Sequence, residues 1–220
     1  MPPPLLRLFL FLVVLVFLIA LIQFGVVTIA FEKLGLSSHS AYVLLITTLF
    51  GSMINLPLFS MGSSRHDQNT LPPEIQNAFR LHRRSFTGKT LVAVNVGGAV
   101  VPVAFSIYLL IHNPISLAQV LIAVAMVAAV AHWSSRPVRG IGIAMPILLA
   151  PVVAALAATW LNSEQRAELA YIGGTLGVLV GADLLRLKDI RSLGAPVASI
   201  GGAGSFDGIF IAGLLAVLLA

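Results

Sequence analysis

Apolar residues occur in long runs along the whole chain, and short polar or charged segments separate these runs. A helix crosses the ~30 Å hydrocarbon core of a bilayer at 1.5 Å per residue, so it needs about 20 apolar residues. Runs that meet or approach this length are Leu5–Phe31, Ala41–Phe59, Thr90–Ile111, Ile115–Ala131, Ile141–Leu161, Leu169–Leu187 and Val197–Ala220. The pattern predicts an all-α fold, a polytopic bundle of about seven transmembrane helices that forms one integral membrane domain over residues 1–220.

The composition agrees with a membrane protein and excludes several classes of site. Of the 220 residues, 58% are hydrophobic and 10% are charged, whereas soluble domains carry roughly 25% charged residues. The absence of cysteine excludes disulfides, thiolate metal ligands and cysteine nucleophiles. The sequence contains no phosphate loop, dinucleotide fingerprint or metal-ligand spacing, so we expect neither a cofactor nor a bound metal.

The basic residues predict the orientation, because Lys and Arg collect in cytoplasmic loops. With the N-terminus in the cytoplasm and the C-terminus outside, Lys33 and Arg166 lie on the outer side. The other basic residues lie on the cytoplasmic side: Arg7, Arg65, Arg80, Arg83, Arg84, Lys89, Arg136, Arg139, Arg186, Lys188 and Arg191. This bias also explains the net charge of +5 without a nucleic acid as partner.

One loop is long, residues 62–89. It contains the sequence Thr-Leu-Pro-Pro-Glu at 70–74, and an N-cap residue followed by prolines and an acid predicts a helix start. The following segment combines an apolar stripe with basic residues, which is typical of a helix that lies on anionic lipid headgroups. A docking site for a cytoplasmic partner is the alternative.

Two acidic residues lie inside predicted spans, where an ionisable side chain is a functional candidate. Asp183 lies near the cytoplasmic end of the sixth span, and Asp207 lies early in the seventh. Since these helices are consecutive and antiparallel, both acids lie toward the cytoplasmic face and could line one cavity. The structural alternatives are that Asp183 pairs with Arg186 or caps the next element, and that Asp207 caps a broken helix start.

Two carboxyl groups held close together cannot both ionise. One keeps its proton, and the other acts as a base. This chemistry predicts an intramembrane aspartyl protease with Asp183 and Asp207 as catalytic residues and a membrane-spanning peptide as substrate. An acid at a glycine-rich helix break also suits a cation or proton site in a transporter or channel. A non-catalytic membrane scaffold is the third possibility, and the oligomeric state stays open. Candidate substrate-binding residues are Gly202, Gly204, Ser205, Gly208 and Asn95.

Several segments carry a resemblance to a known family. They are Gly-Ala-Asp-Leu-Leu at 181–185, Gly-Ala-Pro-Val-Ala-Ser-Ile-Gly-Gly-Ala-Gly-Ser-Phe-Asp-Gly-Ile-Phe at 194–210, Asn-Val-Gly-Gly at 95–98 and Arg-Pro-Val-Arg-Gly at 136–140. The chain is similar to a family of small multi-pass membrane proteins of bacteria and archaea that is defined as a domain of unknown function. The resemblance covers most of the chain and implies a protein of the prokaryotic plasma (inner) membrane.

A second resemblance concerns the acids. Asp183 and Asp207 resemble the catalytic pair of presenilin and signal-peptide-peptidase enzymes in helix number, orientation and order. That resemblance implies proteolysis within the membrane. The sequence differs from those enzymes at two places: Ser205 and Phe206 separate Gly204 from Asp207, and Ala182 stands where those enzymes have a tyrosine before the first aspartate.

Overall fold

The computed structural model describes residues 11–16, 26–62, 88–138, 142–192, 197–202 and 208–220. Most of these residues are helical. The α-helices are α1 (Val26–Lys33), α2 (Ser38–Gly51), α3 (Val101–His112), α4 (Leu117–Ser134), α5 (Leu149–Leu161), α6 (Arg166–Val178) and α7 (Gly208–Leu219), and residues 11–16 are also helical. Two π-helical segments, π1 (Val96–Val100) and π2 (Leu179–Leu184), and a 3₁₀ segment, Leu187–Ser192, complete the helical residues.

Two small sheets depart from the expected all-α class. Strands β1 (Asn55–Gly62), β2 (Lys89–Asn95) and β5 (Val197–Ile200) form one sheet in the order β1-β2-β5. Strand β2 pairs antiparallel with β1 and parallel with β5. Strands β3 (Arg136–Val138) and β4 (Gly142–Ala144) form an antiparallel hairpin. Residues 90–94 are Thr-Leu-Val-Ala-Val, and the β-branched threonine and valines among them fit a pleated sheet better than a helix.

Two described helices have the length and apolar composition needed to cross a membrane: α4, and the continuous helix Arg166–Leu184 formed by α6 and π2. They correspond to the predicted fourth and sixth spans. The apolar helices at Ser38–Gly51, Val96–His112, Leu149–Leu161 and Ile209–Leu219 are shorter. In the second, third, fifth and seventh predicted spans, strands occupy part of the apolar run, which explains why the helices there are short.

Helix α6 lies at the centre of the bundle and packs against α4 through glycines spaced four residues apart. A Cβ atom on Gly173 would lie 3.2 Å from the Ala123 Cβ, and one on Gly177 would lie 2.5 Å from the Val127 Cβ. A Cβ on Gly181 would overlap the backbone of Ala128. Small residues at this spacing allow two helix backbones to approach closely, so the α4–α6 contact tightens toward Gly181.

Hydrogen bonds join the ends of helices that are distant in sequence. The Lys33 ammonium group, at the end of α1, donates to the Val217 carbonyl oxygen near the end of α7, at 3.3 Å. The Gln119 amide, in the first turn of α4, donates to the Leu161 carbonyl oxygen at the end of α5, at 3.0 Å. Backbone carbonyls at helix C-termini lack helical partners, so these side chains satisfy groups that the helices leave free.

The outward surface of the bundle is strongly apolar. Large hydrophobic side chains on α2, α4 and α5 are exposed, and they include Ile46, Leu121, Met126, Val152 and Leu156. The two tryptophans of the sequence stand at helix C-termini: Trp133 of α4 is 84% exposed and Trp160 of α5 is 77% exposed.

Candidate functional site

The candidate site is centred on Asp183, which lies in π2 at the end of the central helix. The helix widens there, since the Leu185 N–H donates to the Val180 carbonyl oxygen, five residues back, at 2.9 Å. Short π-helical segments inside α-helices occur frequently at functional sites. The widened turn continues helix α6 through the acid and ends two residues before Arg186.

Asp183 binds the backbone of a segment that is distant in sequence. Its Oδ2 atom accepts a hydrogen bond from the Gly201 N–H at 2.7 Å, across 18 residues of sequence. Gly201 directly follows strand β5 and begins the glycine-rich segment that leads to Asp207. The hydrogen bond therefore attaches the start of that segment to the first acid.

Gly201 occupies a position that requires glycine for two reasons. Its φ angle is +80°, in the left-handed region that side chains rarely adopt. A Cβ atom there would lie 2.8 Å from both the backbone nitrogen and the Cβ of Ala99 in π1. Gly201 thus lies between π1 on one side and the Asp183 carboxyl group in π2 on the other.

Asn95, the last residue of strand β2, binds several segments next to Gly201 through its side chain. Its buried side-chain amide donates to the Ser52 carbonyl oxygen at 2.7 Å and to Asn55 Oδ1 at 3.1 Å, while its Oδ1 accepts from the Gly98 N–H at 2.7 Å. Both amide hydrogens are therefore used within the fold. The sequence predicts that Asn95 binds substrate, and the structure places it as the N-cap of π1.

The same network reaches strand β5. The Ser199 hydroxyl group donates to Asn55 Oδ1 at 2.6 Å, so Asn55 accepts from both Ser199 and Asn95. Close to this network, Gly97 of π1 packs against α2 so tightly that a Cβ atom would overlap the Thr48 carbonyl oxygen. Strands β1, β2 and β5 and segment π1 thus form one hydrogen-bonded unit beside Gly201.

The structural alternative that Asp183 pairs with Arg186 is wrong, because Arg186 has other partners. Its guanidinium group forms an ion pair with Asp189 Oδ2 at 3.0 Å and donates to the carbonyl oxygens of His132 and Ser135 at 2.6 and 2.9 Å. Arginine's planar fork of donors can bind several acceptors at once, and here these acceptors are the carbonyl oxygens at the end of α4 and the carboxylate of Asp189. No cation contacts Asp183 in the part of the chain that the structure describes.

His132 contacts the widened turn directly. Its Nδ1 atom lies 3.3 Å from the Gly181 carbonyl oxygen, a hydrogen bond in which the ring nitrogen donates. The bond joins the last turn of α4 to π2 two residues before Asp183. The described residues contain no group of three or more His, Asp or Glu side chains that could hold a metal ion.

A family model, described as Protein of unknown function (DUF1614), matches residues 49–219 of the chain. The chain belongs to this family. The DUF1614 match contains Asn95, Asp183, Asp207 and every strand of both sheets, and it begins within α2. No curated protein and no solved structure matches the chain.

Within the DUF1614 region, the structure brings together some of the residues predicted from sequence. Asp183 binds Gly201, and Asn95 caps π1, which packs against Gly201. Gly202 follows Gly201 and has a φ angle of +95° in the turn after β5. Gly208 is the first residue of α7. The remaining predicted site residues, Gly204, Ser205 and Asp207, lie outside the described residues.

The sequence did not predict that Gly201 binds Asp183 or that His132 binds the π2 segment. Gly201 is the hydrogen-bond donor, although the prediction began the binding segment at Gly202. The signal was present, because paired glycines after a short β-branched run favour a turn with positive φ. His132 carried no such signal, since its contact with Gly181 depends on the close packing of α4 and α6.

Proposed function

We propose that this DUF1614 protein is a seven-span membrane protein with a cytoplasmic N-terminus that hydrolyses peptide bonds in the bilayer with Asp183 and Asp207. The observation that carries the proposal is the hydrogen bond from Gly201 to Asp183. It fixes the start of the segment that contains the second acid against the first acid, six residues before Asp207 in sequence.

The outward surface supports insertion into a bilayer. Soluble proteins rarely expose large contiguous apolar areas, whereas α4 exposes Leu117, Leu121, Ile122 and Met126 along its length. Tryptophan is enriched at the two membrane–water interfaces. Trp133 and Trp160 stand at the C-terminal ends of consecutive helices, which the seven-span topology puts at opposite interfaces.

The hydrogen bonds between helix ends support the same topology. The seven-span topology puts the ends of α1 and α7 on the outer side, and Lys33 joins them. It also puts the start of α4 and the end of α5 on the outer side, and Gln119 joins these. The ends of α4 and π2 fall on the cytoplasmic side, and Arg186 joins those. Each contact therefore connects ends with the same predicted location.

A strand can lie inside a bilayer if the rest of the protein surrounds its backbone. Inside a bilayer every backbone N–H and C=O needs a partner, so non-helical backbone is tolerated where protein surrounds it or where it lines a water-filled cavity. Strand β2 meets this condition, because it lies between β1 and β5 and most of its residues are buried. Strand β1 is almost wholly exposed, so the proposal requires that it lie among the headgroups, where water supplies the missing partners.

The chemistry requires no cofactor. One carboxyl group of the pair is ionised and takes a proton from a water molecule, whose oxygen attacks the peptide carbonyl carbon. The other carboxyl group is protonated and gives its proton to the nitrogen as the carbon–nitrogen bond breaks. The net result is that one water molecule is consumed, and a carboxylic acid and an amine are released.

Strand β5 offers a place for an extended substrate. It pairs with β2 along one edge, and its other edge has no strand partner among the described residues. A free strand edge can bind an extended peptide through main-chain hydrogen bonds. A peptide bound there runs toward Gly201 and hence toward Asp183.

Cleavage of a transmembrane peptide by purified protein in proteoliposomes tests the proposal. We expect Asp183→Asn and Asp207→Asn each to lower the cleavage rate at least about 100-fold, because each removes one member of the acid–base pair. Asp189→Asn is the matched control, since this acid lies at the same helix end but pairs with Arg186. Full cleavage by Asp207→Asn would overturn the assignment, and tolerance of both substitutions would favour a scaffold.

A proton- or ion-coupled carrier is the second candidate, and a separate observation favours it. The hydroxyl groups of Tyr171 and Thr175 are fully buried on α6, and neither has a hydrogen-bond partner other than the second hydroxyl group in the described residues. They lie one turn apart, and Asp183 follows Thr175 by eight residues on the same helix. Buried polar groups without protein partners commonly bind ordered water. Flux that Tyr171→Phe and Asp183→Asn both abolish, without peptide cleavage, would support the carrier.

A further inference from the structure

The cytoplasmic ends of α4 and π2 meet at a junction that Arg186 holds together. Its guanidinium group donates to the carbonyl oxygens of His132 and Ser135, the last turn of α4. These bonds bring together the two chain segments that flank them in sequence. Trp133 lies between the two acceptors, Arg136 follows the second, and Lys188 is two residues beyond Arg186.

The side chains around this junction combine exposed apolar and cationic groups. Trp133 is 84% exposed, and Leu185, next to Arg186, is 57% exposed. Arg136 and Lys188 are exposed as well, and neither has an ion-pair partner among the described residues. Asp189 also lies at this junction and forms an ion pair with Arg186, and no ion pair of the described residues joins an acid to Arg136 or Lys188.

We infer that this junction surface, formed by Trp133, Leu185, Arg136 and Lys188, binds an anionic phospholipid. The inference rests on the membrane insertion proposed above and is independent of proteolysis. The arginine and lysine side chains present donors to the lipid phosphate. The indole ring and the leucine side chain contact the upper acyl chains, which is the depth that tryptophan prefers in a bilayer.

Charge complementarity selects an anionic lipid over a zwitterionic one. Basic residues at a membrane surface enrich anionic lipids, at about 1 kcal/mol for each Lys or Arg. The outer end of the bundle differs, because its Lys33 ammonium group donates to a carbonyl oxygen near the end of α7 and its Arg166 lies between Glu164 and Glu168 in sequence. We therefore expect the preference at Trp133 and not at Trp160.

The two tryptophans allow the surface to be tested by fluorescence. The protein carrying Trp160→Phe retains Trp133 as its sole tryptophan, and the protein carrying Trp133→Phe retains Trp160. Each protein is placed in vesicles of equal parts phosphatidylglycerol and phosphatidylcholine, with quenching bromines on the acyl chains of one lipid or of the other. Because the lipid composition is the same in both vesicles, the ratio of quenching measures the local enrichment of each lipid.

We expect brominated phosphatidylglycerol to quench Trp133 at least about threefold more than brominated phosphatidylcholine, and to show no preference at Trp160. Arg136→Gln with Lys188→Gln should bring the ratio at Trp133 near one, whereas Arg166→Gln at the outer end should leave it unchanged. The preference should also fall as sodium chloride is raised, because salt screens exposed charges. This salt titration tests the unsubstituted surface independently of the folding of the double variant.

Equal quenching of Trp133 by the two lipids would overturn the inference, as would a preference that survives loss of both basic residues. A preference that inorganic phosphate abolishes at constant ionic strength would mean that the surface takes a free anion, which also overturns it. If neither lipid quenches either tryptophan, membrane insertion itself is wrong. A normal lipid preference together with absent peptide cleavage would leave the surface intact and overturn the proteolytic function alone.

Discussion

The Gly201 N–H donates a hydrogen bond to the Asp183 carboxylate at 2.7 Å, joining the end of the central helix to the segment that follows β5. No local sequence relationship links these residues, which are 18 positions apart. The bond gives the acid a structural role in addition to the chemical role proposed for it. The two roles make separable predictions.

Substitutions of Asp183 should separate stability from activity. Asp183→Asn keeps an oxygen that can accept from Gly201, so we expect it to lower the unfolding free energy by less than about 1 kcal/mol. Asp183→Ala leaves the Gly201 N–H without a partner and should cost about 1–3 kcal/mol. Both variants should lose cleavage activity. Reversible unfolding in mixed detergent micelles measures the difference, and equal stability of the two variants would contradict a structural role for the carboxylate.

Gly201→Ala should destabilise the protein more than an equivalent substitution elsewhere. An alanine at φ +80° carries the left-handed penalty of about 1–2 kcal/mol, and its Cβ atom would also press on Ala99 at 2.8 Å. We expect a total loss of about 2–4 kcal/mol, with overpacking supplying the rest.

Gly35→Ala is the matched control for this substitution. Gly35 has a φ angle of +71°, and no atom lies within 4 Å of the position that a Cβ atom would take there. It should therefore carry the backbone penalty alone. An unfolding free energy that falls equally in Gly35→Ala and Gly201→Ala would argue against close packing between Gly201 and π1.

The α4–α6 contact should become less tolerant of added volume from Gly173 toward Gly181. Gly173→Ala should cost at most about 1 kcal/mol, because its Cβ atom would meet a side-chain methyl group at 3.2 Å. Gly181→Ala should cost about 2–3 kcal/mol or more, since its Cβ atom would meet the Ala128 backbone. Thermal unfolding of the purified variants tests the order, and a larger loss at Gly173 would reverse it.

Asn95 should contribute chiefly to stability. Asn95→Ala removes three hydrogen bonds and leaves the buried Ser52 carbonyl oxygen without this donor, so we expect a loss of about 2–4 kcal/mol. Asn113→Ala, which removes one bond to the Leu109 carbonyl oxygen, should cost at most about 1 kcal/mol. If Asn95 binds substrate, the folded fraction of Asn95→Ala should instead show a raised KM at nearly normal stability.

Hydropathy predicts the long helices well and the mixed segments poorly. The predicted span Ile115–Ala131 is helix α4, Leu117–Ser134, whose start is fixed by a capping box between Ser116 and Gln119. The run that begins at Thr90 predicts one helix, but its first residues form β2. A strand that is buried on both faces has a continuous apolar run, and periodicity alone cannot distinguish such a run from a buried helix.

The partners of the site residues depend on tertiary contacts that the sequence does not reveal. Arg186 lies three residues after Asp183, so local spacing favours their pairing. The guanidinium group binds the end of α4 instead. The carbonyl oxygens there lack helical partners and accept hydrogen bonds from its N–H groups. Gly201 is required both by its positive φ angle and by the close approach of π1. The sequence indicates the positive φ angle, through the paired glycines, but not the approach of π1.

The distance between residues 183 and 207 tests the central claim most directly. The sequence contains no cysteine, so Asp183→Cys with Asp207→Cys introduces the protein's only thiols. A short bifunctional thiosulfonate should bridge them, and the mass of the intact protein distinguishes one bridging reagent from two separate additions. Asp183→Cys with Ser163→Cys, in the loop between α5 and α6 at the opposite end of the helix, is the control and should add two reagents. Bridging of the 183–207 pair is the predicted result, and two separate additions at that pair would contradict a shared acid site.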